Sequence, residues 1–330
     1  MRVLHSPSNI GGQITILVKE LRNLGVACVG MQFRVRKLGF RTDVNLDDGN
    51  PNPAIWYWRR FKFFLHSIGY FDIFHFHYGL SFFFLHLDLI ILKLLKKKII
   101  FHFHGSDIRN LNYVKELIND TNPKIPKSTF KQKINLWIIK KFSNKILVST
   151  PDLLELVGDE AILLPNTVDL EYWKKPNRKI KNNKLRIIHA PSRRFLKGTE
   201  VILKAIQDLK KRENVKFSLI EGEDFDKVKN LYQNADIAID QLLIGWYGIF
   251  AIECMALGIP VVANIREDLK VSFFPELPVI HATKKTLPLV LSKLVEDQDL
   301  RKDVGRKGKQ FVENYHDSSK VAKKLLDIYD

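Results

Sequence analysis

Short apolar runs alternate with longer amphipathic segments along the chain. The runs predict strands at residues 3–4, 27–33, 72–77, 99–104 and 145–150, and the segments between them predict helices, among them 14–24, 53–68 and 127–142. Because strands and helices take turns, the pattern is typical of βαβ units. It indicates an α/β fold with a parallel sheet.

The pattern breaks at residues 164–183, which are rich in proline, asparagine and lysine, and then restarts. Strands are predicted at 185–189, 216–221, 237–240 and 261–262, and helices at 198–211, 226–233, 248–257, 284–310 and 318–328. The break predicts a boundary between two α/β domains. Two such domains favour a ligand site in a cleft, beyond the carboxyl ends of the strands.

Composition and charge narrow the class of protein. The 330 residues are 45% hydrophobic and 27% charged, which excludes wholesale disorder. The two cysteines cannot build a disulfide framework, and the first residues lack the apolar run of a secretory signal, so we expect a cytoplasmic protein. Residues 1–150 hold 23 basic and 9 acidic side chains (net +14), whereas the rest is near balance at +3. This asymmetry favours an anionic partner. A genome low in G and C, which raises the lysine content of its proteins, is the alternative explanation for the total charge.

An apolar segment at residues 79–95 could be mistaken for a membrane span. It is shorter than the roughly 20 residues that a span needs, and it contains His86, Asp88 and Lys93. We therefore predict a buried or interfacial helix there.

The most informative motif is GWYGIFAIECMALGIPVVA at residues 245–263. Gly248 is suited to begin a helix, and Gly258 with Pro260 would end it. Glu253 then stands within an otherwise apolar helix, where it would either form a structural ion pair or accept hydrogen bonds from ligand hydroxyls. The helix N-terminus beside it is suited to a phosphate.

Three further groups of residues lie at predicted strand ends. Arg193, Arg194 and Lys197 crowd the loop PSRRFLKGT, which is either a phosphate site or a solvated basic loop. His102 and His104 alternate on one strand, as do His75 and His77, and four neutral core histidines are a better interpretation of them than a metal site. Gly11 and Gly12 form a turn that could approach a phosphate, but they do not make a dinucleotide-binding motif.

Taken in this order, these pieces resemble the GT-B glycosyltransferases, specifically the family 4 group of retaining, nucleotide-sugar-dependent enzymes. The resemblance is carried by SPSNIGGQ, FDIFHFHYG, HFHGSDIR, LLPNTVDL, IIHAPSRRFLKGTE and YGIFAIECMALGIPVVA. It implies two Rossmann-like domains with parallel sheets facing across a cleft. The expected parts are an acceptor domain at 1–165, a linker at 166–183, a nucleotide-sugar donor domain at 184–312, and a C-terminal helix at 313–330 that packs back on the first domain.

The resemblance also implies roles for single residues. Gly12 would let its loop approach the donor diphosphate, and His104 would lie against the transferred sugar. Arg194 or Arg193, together with Lys197, would bind the leaving diphosphate. Glu253 would bind the ribose hydroxyls, and the backbone N–H groups near Gly248 and Ile249 would face the donor.

One position departs from the family pattern, in which two glutamates stand eight residues apart. Gly245 occupies the first of these positions, so we expect Asp240 to contact the sugar instead. The departure is also compatible with a catalytically silent relative that binds a glycan or acts as a scaffold.

The function implied is transfer of a sugar, as by a hexosyltransferase, from a nucleotide-diphosphate sugar to a glycan or lipid-linked acceptor. Retention of configuration, a role in cell-surface polysaccharide or glycolipid synthesis, and no requirement for a metal or other cofactor are expected. No nucleic-acid-binding module is recognisable, which leaves nucleic acid an unfavoured partner. Epimerase or inverting chemistry on the same fold is the remaining alternative.

Aromatic and basic residues mix in two predicted helices of the first half. They are Trp56, Trp58, Arg59 and Arg60 in one helix, and Lys131 and Trp137 in the other. Such mixtures suit the headgroup region of an anionic membrane, so we expect peripheral contact with the inner face of the plasma membrane or with a lipid-linked acceptor. Ordinary helices with buried aromatic side chains and exposed lysines are the alternative.

Overall fold

The computed structural model describes residues 1–35, 40–47, 49, 52–110, 128–174, 184–211, 213–223 and 225–330. The described chain is α/β and divides into two compact units. The first unit comprises residues 1–110, 128–167 and 318–330, and the second comprises residues 168–317. Each unit contains its own parallel sheet.

The first unit is built on a seven-stranded parallel sheet with the order β3-β2-β1-β4-β5-β6-β7. Its strands are β1 (Arg2–Ser6), β2 (Ala27–Gln32), β3 (Val44–Asn45), β4 (Ile73–His77), β5 (Lys98–Phe103), β6 (Lys145–Val148) and β7 (Ala161–Leu163). Its helices include α1 (Gln13–Asn23), α2 (Pro53–Tyr70), α3 (Leu87–Leu94), α4 (Phe130–Phe142) and the short α5 (Leu154–Val157).

The second unit has a five-stranded parallel sheet with the order β12-β11-β10-β8-β9. Its strands are β8 (Leu185–His189), β9 (Val215–Leu219), β10 (Ile237–Ile239), β11 (Val261–Ala263) and β12 (Ile280–His281). Its helices are α6 (Arg194–Lys197), α7 (Thr199–Lys210), α8 (Phe225–Gln233), α9 (Ile249–Ala256), α10 (Glu267–Phe273), α11 (Leu287–Glu296) and α12 (Gln298–Tyr315) among the described residues.

Burial on both faces explains why the central strands are so apolar. In the first unit, Phe74, Phe76 and Phe101 contribute to one hydrophobic cluster, whereas Val3 and Ile100 belong to a second cluster that also includes side chains of α1. Helices cover parallel sheets on both faces, so a strand with apolar side chains on each side is stable only inside such a sandwich. The alternation read from the sequence therefore leads to the observed layers.

Two helix predictions are wrong in detail. Residues 79–95 were expected to form one helix, but only Leu87–Leu94 is α-helical, because Leu85 and His86 take left-handed backbone angles before it. Residues 284–310 were expected to be continuous, but Asp297 separates α11 from α12, and its side chain accepts a hydrogen bond from the Leu300 N–H at 2.8 Å. An aspartate at this position caps the second helix and so starts a new one.

The last helix of the chain, α13 (Ser318–Tyr329), belongs to the first unit. Its buried side chains Val321, Ala322, Leu325 and Tyr329 lie in the same hydrophobic cluster as those of α1. The chain leaves the first unit at Thr167 and returns to it at Ser318, where the sequence suggested 165 and 313. No helix among the described residues is both long and apolar enough to cross a membrane.

Candidate functional site

A buried ion pair lies at the carboxyl edge of the second sheet. Asp240 directly follows β10, and Lys197 ends α6 after the neighbouring strand β8. The Lys197 Nζ donates to Asp240 Oδ1 at 2.7 Å, and the two side chains are 10% and 1% exposed. Because a buried charge is costly without a partner, each of these residues requires the other.

The second oxygen of Asp240 binds the start of α9. The Gly248 N–H donates to Asp240 Oδ2 at 2.6 Å. A Cβ atom at position 248 would lie 2.9 Å from Lys197 Nζ and 3.4 Å from Asp240 Oδ2, so a larger residue would push the ammonium group from its present place beside Asp240. The helix start that the sequence predicted at Gly248 is confirmed, and the close contact that this glycine allows is with the ion pair. A contact between its N–H group and a sugar donor stays a prediction.

The N-terminus of α9 faces this cluster with donors that the helix itself does not use. The first helical hydrogen bond runs from Ala251 N–H to Gly248 O, so the N–H of Ile249 stands ahead of the ladder. The helix dipole adds a positive partial charge there. Lys197 also has three N–H donors, of which Asp240 accepts one. The arrangement therefore leaves donor groups that suit an anion.

Glu253 lies in α9 beside this cluster and is buried. Burial, together with the nearby charge of Asp240, raises its pKa to about 8. No cation among the described residues forms an ion pair with Glu253, so the structural ion pair that the sequence left open is absent from this part of the chain. A carboxyl group held in its protonated form without a cation is a candidate for binding a ligand.

The two arginines of the basic loop do not join Lys197. Arg194 donates to Glu221 through Nε at 3.0 Å and through its terminal nitrogen at 2.6 Å, and its side chain is 49% exposed. Arg193 is exposed and precedes α6 as its N-cap residue. The carboxylate of Glu221 therefore competes with any phosphate for Arg194. Glu221 was not among the predicted site residues, although its place at the end of a predicted strand was a usable signal.

Gly245 is required by the backbone conformation and the close packing of its loop. Its φ of +80° lies in the left-handed region, and a Cβ there would be 2.8 Å from Cγ of Arg266. The Arg266 N–H donates to the Gly245 carbonyl at 2.9 Å, and its guanidinium pairs with Asp268. The loop is thus built around glycine, so restoring a glutamate here would strain the backbone and displace Arg266.

Asp240, which the sequence suggested as a contact for the sugar, makes two hydrogen bonds within the protein. Both of its carboxylate oxygens are engaged within the protein, one by Lys197 and one by Gly248. It therefore positions the cation and the helix start. A contact between Asp240 and a sugar stays a prediction from the resemblance.

His189 is hydrogen-bonded to residues of β10 and α7, the elements that neighbour the basic loop. It ends β8, and its Nδ1 lies 2.7 Å from the Ile239 carbonyl while its Nε2 lies 2.9 Å from Thr199 Oγ1. Burial lowers its pKa to about 4, so the ring is neutral at pH 7 and donates to the carbonyl while it accepts from the hydroxyl. This residue ties β8, β10 and α7 together at the edge where Lys197 emerges.

The first unit holds the other predicted residues. Gly12 is buried and immediately precedes α1. His104 follows β5 in a turn that Asp107 closes, since one oxygen of its carboxylate accepts from His104 N–H at 2.9 Å and the other from Gly105 N–H at 2.6 Å. Burial raises the pKa of Asp107 to about 6. Gly12 and His104 are therefore both on structured turns at the start of a helix or the end of a strand.

His104 belongs to a stack of five histidines, of which the other four are buried. We use the name histidine stack for His5, His75, His77, His102 and His104. Burial lowers the pKa of the first four, to about 3 for His5, so these rings are neutral at pH 7. The sequence predicted neutral core histidines but missed His5 and Tyr329, which is hydrogen-bonded to His5 Nε2 at 2.9 Å and to His75 Nδ1 at 2.6 Å.

The aromatic and basic residues of α2 and α4 separate into exposed and buried members. Trp58 and Trp137 are 54% and 64% exposed, Lys131 is exposed, and Arg59 is partly buried. Arg60 corrects the expectation: it is buried, and its guanidinium carbon lies 3.6 Å from the ring centre of Phe33 and 4.2 Å from that of Trp56. Burial lowers the pKa of Arg60 to about 10. Trp56 is likewise partly covered and packs against Phe33.

Comparison with known proteins gives one family match and many similar folds. The family model described as "Glycosyl transferase-like" matches residues 226–327, which include Asp240, Gly248 and Glu253. No curated protein sequence matches the chain.

Many solved structures resemble this chain, and three that cover nearly its whole length illustrate the similarity. Sucrose-phosphate synthase from Thermosynechococcus elongatus is 14% identical with a TM-score of 0.68, covering 100% of this chain and 98% of that one. HepE from Anabaena in complex with UDP and glucose is 12% identical with a TM-score of 0.69, covering 100% and 99%. A glycosyltransferase from Rickettsia africae is 18% identical with a TM-score of 0.66, covering 99% and 97%.

The chain has the GT-B fold. Two parallel sheets in two α/β units, together with full-length similarity to these proteins, confirm the fold class expected from the sequence. At identities of 12–18%, the similarity to these structures shows the fold and does not by itself show the function.

Proposed function

We propose that this GT-B protein is a retaining glycosyltransferase that moves a sugar from a nucleotide-diphosphate sugar to a glycan or lipid-linked acceptor. The observation that carries the proposal is the Lys197–Asp240–Gly248 cluster with Glu253 beside it in the second unit. It combines a cation, a helix N-terminus and a buried carboxyl group, which match a diphosphate and the ribose hydroxyls. The glycosyl transferase-like match to residues 226–327 and the UDP bound to HepE support it.

The chemistry we propose needs little from the protein besides fixed charge. The bond from sugar C1 to the diphosphate oxygen breaks, and a bond from C1 to the acceptor oxygen forms on the same face. The acceptor proton passes to the departing phosphate oxygen. Lys197 and the N-terminus of α9 stabilise the negative charge that builds on that oxygen, so a metal ion is not required in this scheme.

The geometry of Lys197 would let it bind Asp240 and the donor diphosphate at the same time. Asp240 holds one N–H of the ammonium group at 2.7 Å, which fixes the direction of the side chain. The other N–H groups remain for phosphate oxygens. Asp240 is then a positioning residue, and Arg194 would have to leave Glu221 or share it in order to contact the diphosphate.

Binding of a nucleotide sugar is the first expected result. A thermal-shift panel of UDP-, GDP-, ADP- and dTDP-sugars should raise the melting temperature with one nucleotide class, because a ligand that binds only the folded state stabilises it by about 2.7 kcal/mol at 100 times its Kd. The matching free sugars are the control. A panel in which no nucleotide raises the melting temperature would contradict the proposal.

Turnover then separates the remaining alternatives. NMR of the product should show that the anomeric configuration of the donor is retained. An inverted product would rule out retention, and a sugar whose configuration changes at another carbon would indicate an epimerase. Binding without any turnover across a range of acceptors would favour the catalytically silent relative.

We further propose that the acceptor is reached at an anionic membrane surface, on the cytoplasmic face and in cell-surface polysaccharide or glycolipid synthesis. Exposed large side chains occur on three neighbouring elements of the first unit, and we call them the apolar surface. They are Trp58 and Phe61 of α2, Phe84, Leu87 and Leu94 in and before α3, and Phe130 and Trp137 of α4. Contacts such as His86 Nε2 to Asn135 Oδ1 at 2.5 Å join α4 to the segment before α3.

Cations accompany these exposed side chains. Lys62 Nζ lies 5.1 Å from the ring of Trp58, and Lys141 Nζ lies 5.5 Å from the ring of Trp137. An aromatic side chain next to a lysine suits the boundary between lipid tails and anionic headgroups. Phe130 and Leu94 are 80% and 78% exposed, so their burial in lipid would remove much apolar area from water.

Sedimentation with liposomes tests this surface. We expect binding to vesicles that contain anionic lipid, weaker binding at high salt because headgroup attraction is screened, and a loss of roughly tenfold or more when Phe130 and Trp137 are both replaced by serine. Leu289→Ser, at a 74% exposed position of α11, is the matched control. Equal binding to neutral and anionic vesicles, or no effect of the double substitution, would overturn the proposal.

A further inference from the structure

The histidine stack contains more polar atoms than its hydrogen bonds use. His102 is 2% exposed, and neither of its ring nitrogens has a hydrogen-bond partner among the described residues. The backbone of Leu164 is close enough to raise the pKa of His102, but it does not reach either ring nitrogen with hydrogen-bond geometry. A buried polar group without a partner typically costs 1–3 kcal/mol, so this ring calls for an explanation.

Two other histidines bring nitrogen atoms close to His102. Ligand atoms of His77, His102 and His104 all lie within 4.8 Å of one another, and His77 Nδ1 is 3.0 Å from His104 Nε2. The rings of His102 and His104 stack at 4.3 Å between centroids. Two imidazole nitrogens on a tetrahedral zinc ion would be about 3.3 Å apart, so modest side-chain rotation would bring all three onto one ion.

We propose that His77, His102 and His104 form a binding site for a transition-metal cation such as Zn²⁺. Three imidazoles without a carboxylate are a donor set for zinc, cobalt, nickel or copper, and they disfavour magnesium and calcium, which require oxygen ligands. His104 lies at the strand exit and is only partly buried, which provides the route of entry. A fourth coordination position is left for water or another ligand.

The hydrogen bonds behind His77 fit the role of an outer shell. When His77 Nδ1 binds the ion, its Nε2 carries the proton and donates to His5 Nδ1 at 3.0 Å. His5 Nε2 then donates to Tyr329, whose hydroxyl donates to His75 Nδ1. The whole chain of bonds has one consistent direction, and metal-bound histidines characteristically donate their second N–H in this way.

A second triad, of His5, His75 and His77, is less suitable. Its ligand atoms are equally close, and all three residues are fully buried. However, both ring nitrogens of His5 and the Nδ1 of His75 already take part in hydrogen bonds. A cation there would have to break at least one hydrogen bond of His5, as a cation on the proposed triad breaks the bond between His77 and His104. The deeper triad is less suitable because it has no partly exposed member through which an ion could enter, whereas the proposed triad has His104.

The site is tested on the full chain after its metal has been removed with a chelator. Titration with Co²⁺ should produce the intense visible absorption of a tetrahedral cobalt site at one equivalent, Zn²⁺ should displace it and raise the melting temperature, and Mg²⁺ should do neither. His102→Gln and His104→Gln should each abolish the absorption. His5→Ala should weaken zinc binding by 10–100-fold, because it removes the outer-shell partner of His77.

A matched control shows whether the effect belongs to these residues. His66→Gln, which changes an exposed histidine of α2, should leave the cobalt spectrum intact. No visible absorption in the unaltered chain overturns the proposal. Absorption that survives both His102→Gln and His104→Gln, or that is lost with His66→Gln, overturns the assignment to these residues.

The assignment can still be tested if one of the variants does not fold. If His102→Gln has lost its circular dichroism spectrum, the partly exposed His104→Gln decides the assignment. The experiment reads metal binding to the first unit alone. Its result is therefore independent of whether the second unit binds a nucleotide sugar.

Discussion

Replacing Lys197 with methionine is expected to lower the turnover of nucleotide sugar by a factor of about 10²–10³, because it removes a preorganised donor from the leaving phosphate. The same change leaves the carboxylate of Asp240 buried at 1% exposure with only the Gly248 N–H for a partner among the contacts described above. Breaking a buried pair in this way costs about 3–5 kcal/mol of unfolding free energy. Both losses are measurable, by steady-state kinetics and by denaturant unfolding.

A double variant separates the two effects. In Lys197→Met with Asp240→Asn, no buried charge is left without a partner, so most of the stability should return while turnover stays low. Lys211→Met is the control, since Lys211 pairs with Asp208 at a position that is 71% exposed and where ion pairs contribute little. Turnover in Lys197→Met equal to that of the unaltered chain would show that the leaving group departs elsewhere.

Replacing Glu253 with glutamine is expected to remove a large pH dependence of stability. The pKa of Glu253 is about 8 in the folded chain and 4.5 when unfolded, because burial and the charge of Asp240 disfavour the carboxylate. Between these values the folded state binds one more proton than the unfolded state, so stability falls as pH rises. Integrated from pH 4.5 to 8, the contribution of this group amounts to about 5 kcal/mol.

The difference in unfolding free energy between the variant and the unaltered chain should therefore be small near pH 4.5 and grow steadily towards pH 8. It is measured by urea unfolding at a series of pH values, with Glu276→Gln, an exposed glutamate of the same unit, as the matched control for removing a carboxylate. A difference that does not change with pH would mean that Glu253 is ionised in the folded chain throughout.

Glu253 also links donor binding to protons. Ribose hydroxyls donate hydrogen bonds, so the proposed contact favours the carboxylate form, and nucleotide binding near pH 7 should then release up to one proton. Calorimetry in buffers of different ionisation enthalpy detects that proton, and the Glu253→Gln variant should not release it.

Local pattern was enough for the fold class and for the most specific motif. The alternation of apolar runs and helical segments predicted both parallel sheets, since each strand and helix reflects its own residues and near neighbours. Gly248 and Glu253 stand five residues apart on one helix, so their relationship is local as well. The helix at 79–95 was predicted too long because left-handed angles at Leu85 and His86 are set by packing, which the apolar run does not reveal.

Only the tertiary structure decided which polar and charged side chains meet. Lys197 and Asp240 are 43 residues apart, Arg194 and Glu221 are 27 apart, and Tyr329 meets His5 across 324 residues. Such pairs form because parallel strands bring their carboxyl ends to one edge and because α13 packs beside α1, neither of which is written in a short stretch of chain. The sequence therefore identified the candidate cations and the ends of the strands. Tertiary packing decided that Asp240 binds Lys197 and that Arg60 is buried. It also decided that five histidines from separate strands stack on one another.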